Sequence, residues 1–143
     1  MLHIMIDRET IEAVRDMIKG DQPEHYRLGY LTGTVDVNSA LVEGVEIPKQ
    51  ESSVVMTEVR TEEAYRIRQS VEERNQDLLG IVFYHGSMPA FENETERQAR
   101  ERFGVREVPN LALVVNANGS AAIFAEPGLV VDAPEDVPVR YVA

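Results

Sequence analysis

The chain predicts an α/β (α+β) sandwich in which helices pack on a mixed, mostly antiparallel sheet. The segments run strand, helix, several strands, helix, central strand, helix, strands, with no linker long enough to divide them, so residues 1–143 read as a single domain. The run at 78–84 is almost wholly apolar, which suits a central strand covered on both faces. Turn chemistry at 36–39 and at Asn118-Gly119 marks hairpins that fold neighbouring strands back on themselves.

Residues 2–6 alternate as a first strand. Asp7 is placed to cap a helix whose apolar face is Ile11, Val14 and Ile18, with Ala13 and Met17 beside it, and Gly20 stops it. The strand at 28–35 carries Gly29 and Gly33, a sign that another group approaches its backbone closely. Residues 40–47 return as its partner and Pro48 ends that strand. Residues 54–59 read as a third strand of the same sheet. Thr61 is a good cap for a helix over 61–74, with Ala64, Ile67 and Val71 as its buried stripe and Tyr65 on the flank.

After the central strand, Asn93-Glu94-Thr95-Glu96 has the spacing of a capping box, and the helix it opens runs to about Phe103 and ends at Gly104. A buried strand follows at 108–115, its hairpin partner at 120–125, and two weak strands at 129–131 and 137–142.

Composition excludes several classes of function. The 143 residues hold 25 acidic and 14 basic side chains, a net charge of -11, so a nucleic-acid backbone is not the expected partner. No apolar run reaches membrane-spanning length, and residues 1–6 lack the basic and apolar regions of a secretory signal. The absence of cysteine removes disulfides, thiolate catalysis and cysteine-bound zinc, and fits a cytoplasmic protein. Gly29 and Gly33 lack the ending of a phosphate loop, and no serine sits in a nucleophile elbow.

The chemistry-bearing stretch is Ile81-Val82-Phe83-Tyr84-His85, followed by Asn93-Glu94-Thr95-Glu96. It brings an imidazole and a carboxylate to the mouth of a sheet. Its plain reading is structural: His85 bonded to backbone, Ser87 a turn residue, Asn93 and Glu96 a capping box. Tyr26 and Tyr84 read as core-edge aromatics with hydroxyls in water, and Glu92, Glu94 and Glu96 as a solvated helix start that could also hold a hard cation.

The order of these segments resembles the JAMM/MPN (JAB-type) metalloprotease family, which includes deubiquitinating enzymes. Pro23-Glu24 leads into Gly29-Tyr30-Leu31-Thr32-Gly33, a helix precedes the strand ending Tyr84-His85, and a loop leads to Asn93-Glu94-Thr95-Glu96, over roughly residues 2 to 125. The resemblance implies a cytidine deaminase-like fold and a zinc held by two histidines and an aspartate, with a glutamate base and a serine. His85 matches the first histidine, but Ser87 stands at the second, Glu96 at the aspartate, Asn93 at the serine and Tyr26 at the glutamate. The resemblance thus implies a pseudo-enzyme, a non-catalytic domain with His85 and Glu96 as vestigial metal positions and no cofactor. Its partner would be a protein or peptide, such as a ubiquitin-like protein, another JAMM/MPN subunit or a second copy in a homodimer. Its groove would lie between the glycine-rich strand and the His85 loop. The alternative is a zinc-dependent metallopeptidase or isopeptidase with altered ligands: His85, Glu96 and either His25 or Glu24.

Overall fold

In the computed structural model the described residues are 2–55, 57–104 and 108–142. The first half of the chain forms β1 (His3–Met5), α1 (Arg8–Lys19), β2 (Arg27–Asp36), β3 (Ser39–Glu46), β4 (Glu51–Ser52), β5 (Thr57–Glu58) and α2 (Thr61–Glu73). The second half forms β6 (Asp77–Tyr84), α3 (Glu94–Gly104), β7 (Leu111–Val115), β8 (Ala121–Ala125), β9 (Val130–Asp132) and β10 (Val139–Tyr141). The architecture is α+β, with three helices flanking one large mixed sheet of order β10-β8-β7-β6-β2-β3-β1-β9. Its longest pairings, β2 with β3 and β2 with β6, are antiparallel. β6 runs parallel to β7, and the short outer strands β1, β9 and β10 also pair in parallel.

The sheet must curl. β9 and β10 end the strand order on opposite sides, yet only residues 133–138 join them. That link spans at most about 25 Å, whereas seven strand spacings in a flat sheet come to about 34 Å. The two edges meet where the Val131 amide donates to the Tyr141 hydroxyl at 3.1 Å.

The sheet divides the core in two. On one face Ile11, Val14 and Ile18 of α1 pack with Ile4, Leu31, Val42, Val82 and Leu113. On the other, Ile67 and Val71 of α2 pack with Tyr26, Tyr30, Ile81, Phe83 and Val114. β6 supplies both faces, which is why its run is continuously apolar. Gly33 sits at a bulge where β2 changes register, and a Cβ there would lie 1.9 Å from the Leu41 carbonyl oxygen, so no other residue fits without moving β3.

Three local expectations are corrected. Residues 54–59 do not join the main sheet: Thr57 and Glu58 pair only with Glu51 and Ser52 in a separate two-stranded ribbon, and Met56 lies outside the described residues. Thr61 does not cap α2; it is the first helical residue, Arg60 holds the cap position, and no side chain bonds there. The strand expected at 108–115 begins at Leu111. The Asp7 cap holds, its carboxylate accepting from the Thr10 amide at 2.8 Å. Among the described residues no helix is long and apolar enough to cross a membrane.

Candidate functional site

The site forms where β2 begins and β6 ends. The antiparallel register pairs Arg27 with Tyr84. Continued by one residue, it sets Tyr26 beside His85, and their rings stack with centroids 5.5 Å apart. Phe91 closes the other side of the imidazole edge-on at 5.4 Å. The His85 amide bonds the Val115 carbonyl at 2.9 Å, extending the β6–β7 pairing, so the histidine is held as firmly as a strand residue. Gly86 then turns the chain with φ +62°, and a Cβ there would lie 2.7 Å from the Glu24 carbonyl oxygen.

Glu96 reaches the same point from the first turn of α3. The Asn93 amide donates to its Oε1 at 2.9 Å, and the Glu96 amide donates to Asn93 Oδ1 at 2.9 Å, a complete capping box. Glu96 Oε2 accepts from the Tyr26 hydroxyl at 2.5 Å and meets His85 Nε2 at 2.6 Å. His85 Nδ1 faces the Pro89 carbonyl at 2.8 Å. That carbonyl can only accept, so Nδ1 carries a hydrogen. An Nε2 that also donates to Glu96 makes His85 an imidazolium, the form that the Glu96 and Pro89 oxygens favour.

Burial alone would lower the pKa of His85. The hydrogen bond and charge of Glu96, with the Pro89 carbonyl, outweigh it and hold the imidazole above its usual value. Burial, then the charge and hydrogen bond of Glu96, pushes the Tyr26 phenol far above its ordinary range, so Tyr26 is a fixed donor.

The sequence-derived candidates therefore divide. His85, Glu96, Tyr26 and Asn93 form one connected network. Ser87 is exposed in the turn, where its carbonyl accepts from Asn118 Nδ2 at 3.4 Å. Glu24 is exposed at the start of the same crossing. His25 turns away, its Nδ1 3.2 Å from Ser52 Oγ on β4. The two tyrosine hydroxyls expected in water are not there: Tyr26 is bonded to Glu96, and Tyr84 donates to the Pro23 carbonyl at 2.6 Å. The acidic helix start is not solvated either. Only Glu94 is exposed; Glu92 is bound to the fully buried Arg100, whose Nε donates to it at 2.7 Å.

A zinc ion does not fit this arrangement. An ion bonded to both His85 and Glu96 at about 2.0–2.1 Å would hold their ligand atoms more than about 3 Å apart. The two atoms are in direct hydrogen-bond contact, and neither His25 nor Glu24 joins them. Among the described residues no group of three or more His, Asp or Glu side chains is placed to hold a metal.

A second feature lies beside the network and carries no sequence signal. Ahead of its pairing with β3, β2 has a free edge at Leu28, and the side chain of Gln50 fills it. The Leu28 amide donates to Gln50 Oε1 at 2.8 Å, and Gln50 Nε2 donates to the Leu28 carbonyl at 2.8 Å. Thr57 Oγ1 donates to the same Oε1 at 2.6 Å, and Nε2 also donates to the Pro48 carbonyl at 3.1 Å. One primary amide thus stands in for a strand residue. The Tyr26 amide is covered in the same way by the Ser53 carbonyl at 2.7 Å.

Fold and site together define an α+β domain with a buried Tyr–Glu–His network at the end of its central strand. No family model and no curated protein matches the chain. It is similar in fold to the solution structure of protein DSY2949 from Desulfitobacterium hafniense, with a TM-score of 0.62 and 13% identity over 92% of this chain and 94% of that one.

Proposed function

We propose that the chain is a non-catalytic domain of JAMM/MPN type that works by binding a protein or peptide segment. The observation that carries this reading is the closure of His85, Glu96 and Tyr26 on one another. Each polar atom that could hold a metal or move a proton is already bonded inside the protein, and His85 and Glu96 are each 1% exposed. An imidazole and a carboxylate in that state have no access to a substrate. The edge of β2 at Leu28 supports the binding half of the reading, because its backbone donor and acceptor are held by a side chain and not by a neighbouring strand, and such groups take an extended segment by strand addition. Gln50 holds that edge until such a segment replaces it.

The test has two parts. After incubation with excess zinc and desalting, the purified protein is expected to retain much less than one ion per chain. A stoichiometric zinc lost in His85→Ala would overturn the reading in favour of the isopeptidase with altered ligands. Extended peptides selected from a random displayed library are expected to shift the Leu28 amide resonance and to lose affinity when their central residue is N-methylated. Sedimentation at several concentrations shows whether the partner is a second copy.

A further inference from the structure

A cavity of about 540 Å³ lies on the outer face of the sheet, between α2 and α3. Its size is that of a small-molecule site, which runs from about 300 to 1,000 Å³. β2 and β6 give it an apolar floor that includes Leu28 and Ile81. Each helix turns a small residue inward, Ala64 from α2 and Ala99 from α3, which leaves the space open. One helical turn beyond each alanine, on the same face, stands an arginine: Arg68 at i+4 and Arg102 at i+3.

The described lining differs in charge from the chain. The protein has 25 acidic side chains against 14 basic ones, yet among the described residues the lining contains both arginines and no carboxylate. Arg68 Nε stands 3.7 Å from Glu72 Oε1 and its side chain is 38% exposed; Arg102 is exposed and donates from Nε to the Gln98 carbonyl at 3.4 Å. A guanidinium carries five donors in a planar fork, so it can engage an anionic head together with neighbouring protein groups.

From this juxtaposition we infer that the cavity binds an amphipathic carboxylate, an acyl chain or apolar ring carrying one anionic head. The apolar body lies on Leu28 and Ile81 between Ala64 and Ala99, and the head meets Arg68 and Arg102. The site is separate from the His85–Glu96 network, and it stands whether or not that network is inert.

Decanoate is the probe, with decanol as the uncharged control of the same chain length. Calorimetric titration at neutral pH is expected to show saturable binding of decanoate at least about tenfold tighter than decanol. Methyl resonances of Ala64, Ala99 and Ile81 should shift with it. The double variant Arg68→Gln/Arg102→Gln is expected to bring decanoate down to the affinity of decanol, and Ala99→Leu to abolish both. Ala64→Leu is the second filling variant should Ala99→Leu melt early. Equal affinity for the two probes, unchanged affinity in the double arginine variant, shifts confined to other methyls, or no saturable binding of decanoate would each overturn the inference. So would binding of an acidic, apolar peptide to a cavity that takes no decanoate.

Discussion

His85 Nε2 lies 2.6 Å from Glu96 Oε2, and both side chains are 1% exposed. A charge pair so far from water is an asymmetric device: the pair as a whole contributes little net stability, whereas either half alone is costly. Glu96→Ala leaves a buried imidazolium without its counterion and also removes one arm of the capping box. It is expected to cost about 3–5 kcal/mol in urea denaturation. Glu96→Gln keeps an oxygen for the Tyr26 and His85 donors and should cost less. An alanine variant within about 1 kcal/mol of the parent would mean that water reaches the pair.

The same contact sets a pH dependence. The folded state raises the pKa of His85 above its ordinary value of 6.5, so the folded chain holds a proton that the unfolded chain releases. The contribution of this group is complete below about pH 6.5 and is lost as pH rises through the folded pKa. Denaturation midpoints are expected to fall from pH 6.5 into the alkaline range, with a shallower fall in His85→Gln, and the imidazole resonances of His85 should titrate above those of a free histidine. On the acid side the sign reverses. Arg66 and the Lys49 amide hold the Glu63 carboxyl down to about 2, so its contribution is present above its ordinary value of 4.5 and fades as pH falls toward 2.

Arg100 is fully buried and joins the turn before α3 to the start of β7. Its Nε and Nη2 donate to the two oxygens of Glu92 at 2.7 and 3.1 Å, and Nη1 donates to Asn110 Oδ1. Arg100→Ala is expected to cost about 3–5 kcal/mol, because Glu92 is left charged and dry. The double variant Glu92→Leu/Arg100→Met removes both charges and should recover most of that loss in the same urea titration. A double variant as unstable as the single one would show that the bonds themselves, and not the stranded charge, hold this turn.

What the sequence revealed and what it concealed follow one physical line. Ile11, Val14 and Ile18 announce α1 by their spacing, and the run of β6 announces a strand buried on both faces, because periodicity is local. Asn93 and Glu96 announce their cap for the same reason. No local rule brings Tyr26 to Glu96, seventy positions away; that contact comes from the β2–β6 register and the placement of α3. Gln50 is similarly silent, since its side chain replaces a strand that the sequence does not contain. Residues 54–59 have strand-like composition, but Thr57 and Glu58 pair with Glu51 and Ser52, because Gln50 and Ser53 already cover the β2 edge they would have joined.

Gln50 yields the most discriminating experiment on the proposed binding edge. Its amide makes the four hydrogen bonds that a primary amide can make, two to Leu28, one to Pro48 and one from Thr57. Gln50→Ala returns the Leu28 amide and carbonyl to water and is expected to cost about 1–2 kcal/mol. Amide exchange at Leu28 should quicken well before global unfolding does. A peptide that pairs with this edge must first displace the Gln50 side chain, so its apparent affinity carries that competition. In Gln50→Ala the competitor is gone, and selected peptides should bind about five- to tenfold tighter. Weaker binding would instead place Gln50 within the recognised surface, and unchanged binding would put the peptide elsewhere on the molecule.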